Sequence, residues 1–211
     1  SWGAKNSETC IITERDCEFS LGQYLWSGFD YIGEPTPYHT RNSYFGQIDT
    51  AGFPKDSYYL YQAAWIDRRE KPVVHVFPYW DFNPGQLIDV RIASNADVVE
   101  LLVNGVSKGR QRINHTGESK LTGDYRIAYE KGEITAVAYD ENLKEIARET
   151  RSSFGEPVRL ILTQYEPERT LFAGTGDMAF FTVVAVDEAD HPVENANNRI
   201  EVSVEGAGWL T

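Results

Sequence analysis

The stretch GQYLWSGFDYIGEPTPY from Gly22 to Tyr38, followed by NSYFGQIDTAGFPKDSYYLYQAAW from Asn42 to Trp65, reads as one strand, one working loop and one helix. Gly22 opens the apolar run Tyr24, Leu25 and Trp26, whose length and composition fit a strand buried on both faces. Gly28 and Gly33 break that run. Asp30, Tyr31 and Glu34 lie between and after them, so two carboxylates and an aromatic ring stand just past a buried strand's C-terminal end. In a β/α barrel that end carries the chemistry. Glu34-Pro35-Thr36-Pro37-Tyr38-His39 is a proline-stiffened loop and reads as a rim. Asp56 or Ser57 is expected to cap a short helix in which Tyr58, Tyr61 and Trp65 recur at i, i+3 and i+7, a core-packing pattern. That helix is expected to stop in the polar run Asp67 to Lys71, ahead of Pro72.

Upstream, Trp2 to Asp16 read as the tail of a helix, with Asn6 or Ser7 able to cap it and Ile11 and Ile12 on its buried face. The two cysteines, Cys10 and Cys17, stand seven apart on this stretch. On a helix that is roughly 10 Å along the axis, too far for a mutual disulfide. They read as core or surface residues rather than metal or redox ones.

Downstream of Pro72 the pattern changes to short alternating runs. Ile88, Val90 and Ile92 alternate with Asp89 and Arg91, and Val99, Leu101 and Val103 line one face with Glu100 on the other. Asn104-Gly105 is a hairpin turn signal. Further strand-like runs follow at Tyr125 to Tyr129, Glu133 to Tyr139 and Glu145 to Arg151. About seven short strands in this span suggest an immunoglobulin-like sandwich. After the linker Ser152 to Pro157 a second β-pattern begins, with Arg159 to Thr163, Ala179 to Asp187, and Ile200, Val202 and Val204 alternating with Glu201, Ser203 and Glu205. Asp190-His191-Pro192 and Asn195 to Asn198 supply turn chemistry between these runs.

At 211 residues the chain has room for one or two ordinary domains. A complete β/α barrel alone needs roughly 250. A serine start and an end at Gly208-Trp209-Leu210-Thr211, inside a strand pattern, read as an excised fragment. A formal charge of −12 argues against nucleic acid or an anionic membrane surface as partner, since either calls for a basic patch. No apolar run approaches the ~20 residues of a membrane span. The four histidines, His39, His75, His115 and His191, share no short metal-ligand spacing, so no metal cluster is expected, and with no Gly-rich phosphate loop no other cofactor is expected either. Asn114-His115-Thr116 matches a glycosylation acceptor, but no glycan is expected.

The pattern Gly22-Gln23-x-x-Trp26-x-Gly28-x-Asp30-Tyr31-x-Gly33-Glu34-Pro35 resembles the last barrel strand of family 2 glycoside hydrolases of the β-galactosidase type. Tyr44-Phe45-Gly46, Asp49, the turn Gly52 to Asp56 and Tyr59 to Trp65 fit the same family's final loop and helix. His75 to Phe82 and Val103-Asn104-Gly105 look like the small β-domain that follows the barrel. The resemblance implies a mainly β chain: the terminal strand and helix of a TIM barrel, then one complete and one partial immunoglobulin-like β-sandwich. The domains would be 1–71, 72–155 and 156–211. A bacterial parent enzyme is implied, whose compartment, cytoplasmic or exported, the sequence leaves open.

Retaining glycoside hydrolysis needs two carboxyl groups about 5 to 5.5 Å apart. In this family both are glutamates on earlier barrel strands, so the resemblance implies that this chain lacks them and is inactive alone. Glu8, followed by Thr9, stands on no apolar strand and is expected on a helix surface. The resemblance carries Trp26 over as an apolar platform for the ring of a β-galactoside, the expected partner. Asp30, Tyr31 and Glu34 are the other candidates for substrate binding, each able to hydrogen-bond sugar hydroxyls or to brace the loop; Asp49 is expected to support the same rim. The other reading is a carbohydrate- or partner-binding sandwich module, with Tyr79, Trp80 and Phe82 as its aromatic candidates. A lone barrel strand and helix would leave apolar surface exposed around Leu25, Trp26 and Tyr61, which favours self-association.

Overall fold

The computed structural model describes residues 6–36, 38–113, 120–172, 174 and 176–210. Trp2 and the Asn114-His115-Thr116 motif lie outside them. The chain divides into two compact units, Ser1–Ser153 and Phe154–Thr211.

The first unit carries α1 (Ser7–Arg15), α2 (Asp56–Trp65), β1 (Val74–Phe77), β2 (Leu87–Ser94), β3 (Val98–Val103), β4 (Val106–Arg112), β5 (Thr122–Ala128), β6 (Glu133–Tyr139) and β7 (Glu145–Ser152). The strands form two antiparallel sheets, ordered β1-β2-β5 and β4-β3-β6-β7. This is the immunoglobulin-like sandwich that the alternation implies, with the fourth strand beside the third. Between the sheets lie Val76, Trp80, Val90 and Ile92 from one side and Val99, Leu101, Val103, Ile134 and Ala136 from the other. Each of the Val, Leu and Ile side chains among them contributes about 1.5–3 kcal/mol by leaving water. Asn104 and Gly105 close the β3–β4 hairpin with φ of 50° and 78°, the doubly positive pair that a two-residue hairpin of this hand requires.

Because side chains alternate along a strand, β2 has a second duty. Val90 and Ile92 face the inter-sheet core, while Ala93 joins a separate cluster with Leu60 and Ala63 of α2, Val73 and Leu121. Ile11 and Ile12 of α1 pack against that cluster, as expected. Asn6 caps α1, its side-chain oxygen accepting the Thr9 N–H at 2.9 Å. Glu8 departs from expectation. Its side chain is only 12% exposed, pairs with Arg91 at 2.8 Å, and accepts from the Leu121 N–H and the Thr122 hydroxyl. It clamps the helix to the sheet.

Helix α2 also differs in detail. Lys55 is its N-cap, without a side-chain cap bond, and the Asp56 carboxylate pairs with the buried His75 instead. The helix ends at Trp65, earlier than the polar run, as Ile66 goes extended. Tyr61 is buried, not exposed, whereas Trp65 keeps 68% of its surface in water and leans on Tyr61 at 4.9 Å between ring centroids.

Among its described residues the second unit holds one antiparallel strand pair, β8 (Arg159–Gln164) with β9 (Phe181–Val186). Asp187 organises the turn that follows, its Oδ1 accepting the N–H groups of Ala189 and His191 at 2.9 Å each. The alternating run Ile200 to Val204 forms no strand, and its apolar members are exposed. Alternation marks a face to be buried, but a strand also needs a neighbouring ladder, and the described residues offer this run none.

Candidate functional site

The Gly22–Trp26 run carries no strand ladder either. Tyr24 is fully exposed and Trp26 is 72% exposed. A parallel barrel strand takes hydrogen bonds from neighbours on both edges, and here, among the described residues, only the segment around residues 42–48 lies alongside the following loop. That segment holds the loop through single bridges: Phe29 with Ile48 in parallel sense, and Ile32 with Asn42 in antiparallel sense. The Trp26–Ser27 peptide is cis.

Backbone bonds knit the two segments closely. The Gln47 and Ile48 N–H groups both donate to the Gly28 carbonyl at 3.0 Å, and the Asp30 N–H donates to the Ile48 carbonyl at 2.8 Å. Ser43, fully buried, donates its N–H to the Tyr31 carbonyl and accepts the Tyr31 N–H on its hydroxyl. The approach is so close that a Cβ on Gly46 would sit 2.1 Å from the Asp30 nitrogen and 2.2 Å from the Phe29 carbonyl carbon. Only glycine fits there.

Asp30 is buried in this contact. Its Oδ1 accepts the Gly46 N–H and the Lys55 ammonium, each at 2.8 Å. Lys55 also reaches the Tyr44 carbonyl at 3.4 Å. Of the two roles open to Asp30, this geometry is that of a brace. Asp49 acts similarly on the next turn, accepting the Ala51 and Phe53 N–H groups at 2.9 Å.

Trp26, Tyr31 and Glu34 come together at the surface. The Trp26 indole N–H donates to the Tyr31 hydroxyl at 2.9 Å, and that hydroxyl donates to a Glu34 carboxylate oxygen. The hydrogen bond to Glu34 raises the Tyr31 pKa above the ordinary phenol value, because losing the proton would place two anions side by side. The rings of Trp26 and Tyr31 meet edge to face at 6.2 Å, and Tyr31 also contacts Phe45 at 6.3 Å. The outcome is an indole with its polar atom satisfied internally and its apolar face available.

The sandwich aromatics behave otherwise. Trp80 is fully buried and donates its indole N–H to the Glu130 carbonyl, while Phe82 packs on the core beside it. Trp80 is therefore a core residue and no binding platform. No group of three or more His, Cys, Asp or Glu is placed to hold a metal ion among the described residues. Nor does any described helix have the length and apolarity to cross a membrane.

This geometry can be set beside known proteins. A family profile described as "Domain of unknown function (DUF4982)" matches residues 85–147, within the sandwich. The chain is 41% identical over 213 residues to the β-galactosidase BoGH2A of Bacteroides ovatus, a match spanning 99% of this chain and 24% of that protein. A solved family 2 glycosyl hydrolase from Bacteroides cellulosilyticus superposes with a TM-score of 0.70 at 25% identity, over 82% of this chain and 26% of that one. The chain belongs to glycoside hydrolase family 2. It spans about a quarter or less of the length of the curated relatives just named and those that follow. A putative β-glucuronidase of Formosa agariphila is 32% identical over 91% of this chain and 19% of its own length. A β-glycosidase structure from Bacteroides vulgatus matches with a TM-score of 0.69 and 30% identity, over 78% and 20% of the two chains.

Within this family 2 chain, sequence reasoning brought Trp26, Tyr31 and Glu34 to one place but missed Lys55, Gly46 and Ser43. The signal for Gly46 was its glycine in an otherwise bulky Tyr44-Phe45 run. For Lys55 there was none, since its partner lies 25 positions away.

Proposed function

We propose that this chain is part of a retaining family 2 glycosidase that hydrolyses terminal β-galactosides, in which residues 1–71 close the catalytic barrel and supply one wall of the sugar pocket. Residues 72–155 and 156–211 are the sandwich domains that trail it. Trp26 packs against the sugar ring's apolar face. Tyr31 and Glu34 hold the indole in place and offer their remaining hydrogen-bonding capacity to sugar hydroxyls, while Asp30 braces the loop from beneath. Both catalytic glutamates belong to other parts of the parent enzyme, so the 211 residues alone turn over no substrate.

The observation that carries this reading is the exposed Trp26 face, its N–H already satisfied by Tyr31. The 41% identity to a β-galactosidase supports the choice of sugar. The 32% identity to a putative β-glucuronidase makes a terminal β-glucuronide the second reading. The test compares the 211-residue chain with one extended N-terminally to a whole barrel, on chromogenic aryl β-galactoside and β-glucuronide. Activity is expected on the galactoside, in the extended chain only, and Trp26→Ala should lower it at least tenfold. Turnover by the short chain would sink the assignment.

A further inference from the structure

We propose that Lys55 is a positioning residue for Trp26: its ammonium, seated on the buried Asp30 carboxylate, fixes the 26–34 loop against residues 43–48 and so sets where the indole stands. The bearing of this on sugar binding rests on the function proposed above; the positioning itself does not.

The chain of contacts is short. Lys55 is the N-cap of α2 and therefore sits at a fixed point of the first unit. The Asp30 side chain is 3% exposed, and Lys55 is the partner that balances its charge. Asp30 is followed by Tyr31, whose N–H and carbonyl are both held by Ser43 and whose hydroxyl receives the Trp26 indole N–H. A displacement of Asp30 is therefore passed through one peptide and one side chain to the indole.

Removing Lys55 leaves a buried carboxylate with the Gly46 N–H at 2.8 Å but no charge partner among the described residues. Such a group draws in water or moves towards it. Such a movement strains the loop's bonds to residues 43–48 without unfolding the unit, because neither core cluster includes a residue between 26 and 34. The consequence is local, and reversible by removing the charge that caused it.

The experiment labels the 211-residue chain with fluorotryptophan and follows the Trp26 fluorine resonance, assigned by Trp26→Phe. Lys55→Met is expected to shift or broaden the Trp26 signal while the signal of the core residue Trp80 stays put. Adding Asp30→Asn, which makes the pair neutral, should return Trp26 towards its original position, and Lys55→Arg should perturb it less than Lys55→Met. If Lys55→Met fails to fold, Lys55→Gln, which also removes the charge but keeps a polar end, takes its place with the same expected shift of the Trp26 signal. A Trp26 resonance indifferent to Lys55, or a Trp80 signal that moves with it, overturns the proposal.

In the extended enzyme, Lys55→Met and Trp26→Ala are expected to lower kcat/KM, with the double variant no worse than Trp26→Ala alone, since Lys55 acts through Trp26. Losses that multiply would show that Lys55 works by another route and would also overturn the proposal. A Trp26 signal that responds to Lys55, together with a Trp26→Ala enzyme of undiminished activity, would instead remove the sugar-wall reading and leave the positioning standing.

Discussion

His75 lies on β1, 3% exposed, with a carboxylate at each ring nitrogen. Nε2 meets Asp56 of α2 at 2.9 Å and Nδ1 meets Glu149 of β7 at 3.2 Å, while Tyr59 stacks on the ring at 3.8 Å. Burial alone would push the imidazole pKa down, but the two carboxylates outweigh it and raise it above the usual 6.5. Glu149 also accepts the Val76 N–H at 2.7 Å, and Arg151 stands 3.6 Å from it. The folded state therefore binds the His75 proton more tightly than the unfolded chain does. Its contribution is fully present below about pH 6.5 and is lost as pH rises through the higher folded pKa. Charge-assisted hydrogen bonds contribute about 1.5–3 kcal/mol each when buried. Asp56 is half exposed, so about 2 kcal/mol for the whole arrangement is the reasonable figure.

The assay is urea unfolding of the chain and of His75→Gln, at pH 5.5 and again at pH 9. With an m-value of about 2 kcal/mol per molar, the midpoints should differ by roughly 1 M at the lower pH. The gap should narrow at the higher one. Comparing variant with wild type removes the background from other titrating groups. A gap that stays constant between the two pH values would mean that His75 is neutral in the fold and that burial, not the carboxylates, governs it.

Two other outcomes can be checked directly. Gly46→Ala forces a Cβ against backbone atoms and should cost about 1–3 kcal/mol while speeding hydrogen exchange at the Asp30 amide; an unchanged exchange rate would contradict the close contact. Trp80→Ala should cost about 3–5 kcal/mol and abolish the near-ultraviolet circular dichroism of the sandwich, whereas a sugar-binding Trp80 would be lost with the fold intact.

The sandwich was legible because its determinants are local. Ile88, Val90 and Ile92, the alternation at Val99 to Val103, and Asn104-Gly105 state a period and a turn within a few residues of each other. At Gly22 to Trp26 and Ile200 to Val204 apolar patterning is present, but no described neighbour supplies a ladder and neither run forms a strand. For the candidate site, residue types were readable and roles were not. Asp30 could bind or brace, and what decides is Lys55, 25 positions on. Glu8 could lie on a surface or clamp, and what decides is Arg91 and Leu121, 83 and 113 positions on. Pairings of that range follow from topology, which no window of sequence contains.

Asn95 donates from its side-chain nitrogen to the carbonyls of Ile66 and Lys71 and accepts the Val73 N–H, while Ser94 donates to the Val73 carbonyl. One turn of the sandwich thus grips the whole connector from residue 66 to 73, and the helices on its far side share a core with β2. The point at which sequence grammar changes is consequently not a point at which the protein can be cut. A recombinant sandwich begun at Pro72 would expose Ala93 and Leu121 and leave Arg91 without Glu8. Chimaeras that exchange this module between enzymes should carry the two helices with it, and so transfer the proposed pocket wall along with the sandwich.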